Sequence, residues 1–132
     1  MDIHKVHCDC GSVELTAKGK PKVHAYCHCE DCRELLQVPF HSVLAWDPEK
    51  VEVTKGREDL VAFQHPHKRM QRIFCQHCGD VLYNTNAMGW KLISQLMFRK
   101  CNENTLPQAF QSNAHFFYDR RLIDIDDQLP KR

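Results

Sequence analysis

Cys8-Asp9-Cys10-Gly11 and Cys75-Gln76-His77-Cys78-Gly79 are the stretches that decide the fold of this 132-residue chain. Each is a close pair of thiols followed by the one residue that enters positive φ without strain. In a straight strand, Cys-x-Cys would send its sulfurs to opposite faces. A turn at the glycine brings both sulfurs to one side and aims backbone amides at them. Together the pairs supply four thiolates, which close a tetrahedral zinc site. Such a site would clip the start of the chain to its middle, and binding energy would become folding energy.

A third cluster, Cys27-His28-Cys29-Glu30-Asp31-Cys32, holds three thiols. Three ligands leave one position of a tetrahedron free for water or a substrate atom. Three thiolates on Zn²⁺ carry a net −1, which suits binding a thiol better than making a strong hydroxide. A fourth protein ligand would close this site too. His24, His28, His77 and Cys101 are the residues that could supply it, with His28 expected to point away. Cys32 falls in the first turn of an expected helix, where amide groups favour thiolate.

Eight cysteines also permit four disulfides. The polar start Met1-Asp2-Ile3-His4-Lys5 has no apolar leader core, and the chain lacks an Asn-x-Ser/Thr sequon. One or two residues between cysteines also fit disulfide geometry poorly within a cluster. A reducing, cytoplasmic setting with metal-bound thiolates is therefore expected.

The formal charge is +1. Seven ionised thiols and two Zn²⁺ would bring it to about −2, since the ligand is the thiolate. Nucleic-acid binding, which needs a concentrated basic surface, is not expected. The short basic runs Lys18, Lys20, Lys22 and His67-Lys68-Arg69 read as solvated faces. No apolar run approaches the ~20 residues of a membrane helix. A single domain over residues 1–132 is expected from the length.

The remainder reads mainly as β. Strands are expected at 12–17, 22–26, 51–54, 60–63, 69–74, 80–83, 116–118 and 122–125, from alternation and flanking turn residues. A short helix is expected over 31–37, with Asp31 as cap and Pro39 as stop. Residues 91–98 suit either helix or strand. Trp46, Trp90, Phe40 and Tyr118 read as core or pocket wall, and Cys101 as a buried thiol on a strand.

Three ordered motifs carry a resemblance. They are Cys-x-Cys-Gly-x-Val (Cys8 to Val13), Cys-His-Cys-x-x-Cys-Arg (Cys27 to Arg33) and Arg-x-Phe-Cys-x-x-Cys-Gly (Arg72 to Gly79). The chain resembles the glutathione-dependent formaldehyde-activating enzymes, whose domain centromere protein V shares. Val53 to Leu60, His115 to Tyr118 and Asp126 to Pro130 extend the likeness over nearly the whole chain.

The resemblance implies an Mss4-like zinc-binding β fold with little helix. It implies a structural zinc on Cys8, Cys10, Cys75 and Cys78, and a catalytic zinc on Cys27, Cys29 and Cys32. It also implies carbon–sulfur bond formation between a small thiol and a small aldehyde, as in S-hydroxymethylglutathione. The family commonly continues after Cys32-Arg33 to a Gly and a small residue. Here Glu34-Leu35-Leu36-Gln37-Val38-Pro39 follows, which implies a bulkier, remodelled substrate pocket.

Around the triplet, His24 and His28 are candidate proton carriers or hydrogen-bond partners of the thiolates. Arg33 is a candidate for holding an anionic substrate group, or for a salt bridge. Two readings stand beside the enzyme. One is a zinc-stabilised binding module without turnover. The other is a thiol redox enzyme using Cys101, whose neighbours Arg99 and Lys100 are cationic.

Overall fold

The computed structural model describes residues 2–132. The elements run in order β1 (Ile3–His7), β2 (Glu14–Lys18), β3 (Val23–Cys27), α1 (Glu30–Leu36), β4 (His41–Trp46), β5 (Val51–Lys55), β6 (Leu60–Gln64), β7 (Gln71–Cys75), β8 (Val81–Thr85), β9 (Lys91–Ser94), α2 (Gln95–Lys100) and β10 (His115–Phe116), with short 3₁₀ turns between some of them. Strands β1, β2 and β5 form a three-stranded antiparallel sheet. The other seven form a second sheet in the order β10-β3-β4-β9-β8-β7-β6. All its pairs are antiparallel except β10 with β3.

The strand period of two explains how two cores arise from one sheet. In β4, Leu44 and Trp46 enter the larger core, where Val6, Leu15, Val51 and Val53 of the small sheet meet Leu82 and Ile93. Helix α2 adds Met97 and Phe98 to that core. Val43 and Ala45, the alternate residues of β4, enter the second core with Ala25, Leu92 and Met70, and α1 adds Cys32 and Leu35. The small sheet therefore lies against one face of the large sheet, and α1 covers part of the other.

Most expected strands are present with ends shifted by a residue or two. Residues 91–98 divide between the two expectations: β9 ends at Ser94, whose hydroxyl accepts from the Leu96 amide and starts α2. Strands β1 and β4 were not anticipated. β1 buries only Val6, so it shows no alternation. β4 is buried on both faces, which erases alternation as well.

Three expectations are corrected. Residues 122–125 form no strand; Leu122 and Ile123 are exposed, and Ile125 is held by the Tyr118 hydroxyl at 2.7 Å from its amide. The 116–118 strand stops at Phe116, because Phe117 takes φ 55° and starts a 3₁₀ turn at Tyr118–Arg120. Helix α1 is capped by Cys29, not Asp31: the Cys29 sulfur accepts from the Cys32 amide at 3.3 Å.

Candidate metal centre

The four thiols of Cys8, Cys10, Cys75 and Cys78 converge, and so do the three of Cys27, Cys29 and Cys32, each group within 4.8 Å between sulfurs. The glycines act as expected. Gly11 sits at φ 77° and Gly79 at φ 79°, and their amides close tight turns onto the carbonyls of Cys8 and Cys75. Those turns aim backbone donors at sulfur: Val13 N–H reaches Cys8 Sγ at 3.3 Å, and His77 N–H reaches Cys75 Sγ at 3.4 Å. Cys8 and Cys75 are fully buried while Cys10 and Cys78 are exposed, so the group lies at the edge of the larger core. Outside it, Lys100 pairs with Asp9 at 2.9 Å and with Asp80, tying the end of α2 to both cysteine turns.

The sulfur spacing tests whether these groups suit a metal. No disulfide is formed among the eight cysteines. Four sulfurs at zinc–thiolate distance in a tetrahedron stand about 3.8 Å from one another. Cys8 to Cys10 and Cys10 to Cys75 measure 3.7 Å. Cys27 to Cys29 measures 3.4 Å, and Cys27 to Cys32 measures 3.8 Å. Both groups could therefore each hold a metal ion. Their acidities point the same way. Thiols of Cys27 and Cys32, with the Cys32 amide, hold Cys29 well below its usual range. Cys29 in turn pushes Cys27 up to about 11, and Cys32 is raised by both its neighbours and by burial. Without a cation, one thiolate forms at the expense of the other two, so the donor set is complete only with positive charge at its centre.

The triplet gets its shape from a strand end meeting a helix start. Cys27 closes β3, Cys29 caps α1, and Cys32 stands in its first turn. The three thiols border a cleft of about 510 Å³, whose wall includes Glu30, Asp31, Arg69, Met70, Met88 and Arg120. No other cysteine or any histidine joins the group among the described residues. His77 instead bonds Asp59 at 2.9 Å. Cys101 is not on a strand but at the end of α2, where its sulfur and the His7 backbone make two contacts of 3.4 Å.

The other candidate residues are placed elsewhere. His24 alternates with Cys27 along β3 and so faces away from the triplet; its Nδ1 lies 2.6 Å from the Gln111 carbonyl. His28 is fully buried, with its Nε2 at 2.9 Å from His115 Nδ1. His115 Nε2 meets Asp127 at 2.8 Å, so the C-terminal segment is tied under the triplet. The His28 ring stacks on Phe40, 5.2 Å between centroids, and burial lowers its pKa. Arg33 donates from Nε to the His28 carbonyl at 3.2 Å and makes no ion pair among the described residues. It braces the chain between Cys27 and Cys29 instead of facing the cleft.

Sequence reasoning missed two residues. His41 opens β4 and pairs in register with Cys27; Asn84 lies on β8 opposite Leu92. Both are buried, and His41 Nε2 and Asn84 Nδ2, like His28 Nδ1, have no hydrogen-bond partner among the described residues. Burial pushes the His41 pKa down to about 4, with Cys29 and the neighbouring Asn84 side chain pulling against it; Asn84 lies close to the ring but not in hydrogen-bond geometry with Nε2. An unpaired buried polar group costs about 1–3 kcal/mol, so these atoms call for an explanation. No sequence motif marks them, because β4 itself was not legible.

Comparison with known proteins agrees with the motifs. An uncharacterized lyase of Schizosaccharomyces pombe is 27% identical over 101 residues, spanning 75% of this chain and 71% of the relative. A crystal structure of a Rhodobacter sphaeroides protein superposes with a TM-score of 0.53 at 19% identity, covering 79% of this chain and 92% of that one, a likeness of fold alone. The mainly β, Mss4-like architecture expected from the sequence stands. Among the described residues, no helix is long and apolar enough to cross a membrane. The family model described as glutathione-dependent formaldehyde-activating enzyme matches residues 3–120, and with both cysteine groups assembled the chain belongs to that family.

Proposed function

We propose that this chain is a zinc-dependent carbon–sulfur lyase that joins and separates a small thiol and an aldehyde. The observation that carries this reading is the contrast between the two thiol groups. Cys8, Cys10, Cys75 and Cys78 make a complete four-donor set. Cys27, Cys29 and Cys32 make a three-donor set beside a cleft large enough for a thiol substrate. Membership in the family and the likeness to a protein named a lyase support the reaction class.

The first set would hold a structural zinc and the second a zinc with one position left for a ligand. When bound at the triplet, that zinc would lower the pKa of a thiol and supply positive charge beside the reacting carbonyl. The chain's own contribution is placement. The Cys32 amide and the start of α1 fix Cys29, and Arg33 fixes the intervening backbone. Arg69 and Arg120 on the cleft wall offer charge to an acidic thiol, while Met70 and Met88 keep part of the wall apolar. In the forward direction a sulfur–carbon bond forms and the carbonyl π bond opens. The thiol proton ends on the new hydroxyl, with no net oxidation. In this reading neither His24, on the other side of β3, nor His28, at 2.9 Å from His115, carries the proton.

The test is direct. Cobalt-loaded protein should change its thiolate charge-transfer band when a thiol is added. Exchange spectroscopy should show the aldehyde and its hemithioacetal interconverting faster than without protein. Cys29→Ser should lose both signals, whereas Cys101→Ser should keep them. Loss of activity in Cys101→Ser with an unchanged cobalt band would favour thiol redox chemistry instead.

A further inference from the structure

A second cavity lies beside the thiol cleft. It has a volume of about 170 Å³ and is walled by Leu36, Val38, Phe40, Val81 and Leu92, with the exposed Leu96 at its rim. Five polar side chains also line it: Ser42 and Ser94, whose hydroxyls lie 3.4 Å apart, Tyr83, and two that are more than nine-tenths buried, His41 at 4% exposure and Asn84 at 1%. The last two are the residues whose Nε2 and Nδ2 atoms lack partners. A largely apolar chamber lined by two buried, unpaired nitrogens is a built recognition site, because a ligand that satisfies both relieves the cost of their burial.

The cavity is joined to the triplet by shared elements. Leu92 lines both the cleft and the cavity. His41 is the cross-strand partner of Cys27. Helix α1 carries Cys32 to the cleft at its first turn and Leu36 to the cavity at its last. Leu36 and Val38, from the Glu34 to Pro39 stretch that follows Cys32-Arg33, supply part of the apolar wall.

We propose that this cavity seats the aldehyde, and that the aldehyde carries an apolar body. A cavity of this size holds a molecule of about six carbons, since a 150 Å³ apolar cavity accepts benzene. A carbonyl oxygen has two lone pairs and no proton, so it accepts from Asn84 Nδ2–H and from a proton on His41 Nε2. A cation would meet no acceptor charge there, and a carboxylate would lose its hydration against five apolar walls. The inference rests on the lyase reading for the word substrate, but the cavity's preference for a neutral carbonyl stands on the residues alone. In the adduct-forming direction the carbonyl carbon gains the sulfur and its oxygen gains the thiol proton, so Asn84 and His41 hold a hydroxyl at the end of the step.

The experiment uses zinc-loaded full-length protein and 2-hexanone, a ketone of matching size that forms thiol adducts poorly. Methyl resonances of Leu36, Val38, Val81, Leu92 and Leu96 should shift saturably with it, and should not shift with acetone at the same concentration. Asn84→Leu should weaken 2-hexanone at least tenfold by removing a donor while keeping volume. Val38→Phe, which fills the chamber from its edge, should abolish the shifts. Cys29→Ser should bind the ketone as the parent does while making no adduct from hexanal and a thiol. Binding without turnover in the parent protein would support the cavity and sink the lyase reading. Turnover of formaldehyde with no ketone shift, or a shift unchanged in both Asn84→Leu and Val38→Phe, would overturn the aldehyde seat.

Discussion

Cys75→Ser should unfold this protein, and the size of the loss follows from where the thiol sits. Cys10 and Cys75 are 65 residues apart in sequence and 3.7 Å apart in space. A cross-link that closes a loop of that length restrains the unfolded chain by about 4 kcal/mol. Cys27 and Cys32 are separated by only five residues. The ratio of the two lengths is nearly four doublings, and at about 0.6 kcal/mol each the long clip contributes about 2 kcal/mol more than a bond within the triplet. Cys75 is also fully buried in the larger core, so serine leaves a hydroxyl there in place of a metal ligand. Small domains have about 5–15 kcal/mol in total, so Cys75→Ser removes a large part of it. Urea unfolding of zinc-loaded protein, followed by far-ultraviolet circular dichroism, is the assay. Cys75→Ser should be unfolded or nearly so without urea. Cys29→Ser should keep its spectrum and lose about 2 kcal/mol or less. Equal losses in the two variants would refute the division into a structural and a working site, and so would a parent midpoint that strong chelation leaves unmoved.

Three further outcomes follow from the geometry. Mild chelation should strip the triplet first, leaving one zinc per chain and an unchanged spectrum by elemental analysis and circular dichroism, because three protein ligands hold less tightly than four. Stability should fall in acid through His41, whose folded pKa of about 4 lies below its unfolded value. The unfolded chain takes the proton first, so the contribution is full above about pH 6.5 and is lost as pH falls toward 4, reaching about 2 kcal/mol at pH 5. In His41→Leu the decline between pH 7 and pH 5 should be shallower by that amount in urea titrations; an identical slope would remove His41 as its source. His115→Leu should cost about 1–3 kcal/mol in urea titrations, because it leaves the buried His28 Nε2 without its partner and removes one of the contacts that hold Asp127. An unchanged midpoint there would mean that the C-terminal segment is not tied down through that pair.

The sequence alone determined which residues would converge. Cys-x-Cys-Gly and Cys-x-x-Cys-Gly are local chemistry: two donors and a glycine at φ near 78° make the turn whatever surrounds them. The triplet was legible for the same reason, and so was Cys32 in the first turn of α1. A half-buried strand such as β5, with Val51 and Val53 buried and Glu52 and Thr54 exposed, showed its period of two. What the sequence could not carry was anything set by neighbours on two sides at once. β4 is buried on both faces, so its alternation vanished, and with it the placement of His41 opposite Cys27. His24 and His28 both stood near the cysteines in the chain, but strand alternation sent one to the far face and packing against Phe40 and His115 buried the other. Leu122 to Ile125 looked like a strand, yet no partner strand lies there and the Tyr118 hydroxyl holds the segment instead. The aldehyde cavity belongs wholly to this second class, because its walls come from α1, β4, β8 and β9. Metal ligands sit within a few residues of each other and are written in spacing; a chamber between strands exists only once the sheet has chosen its order.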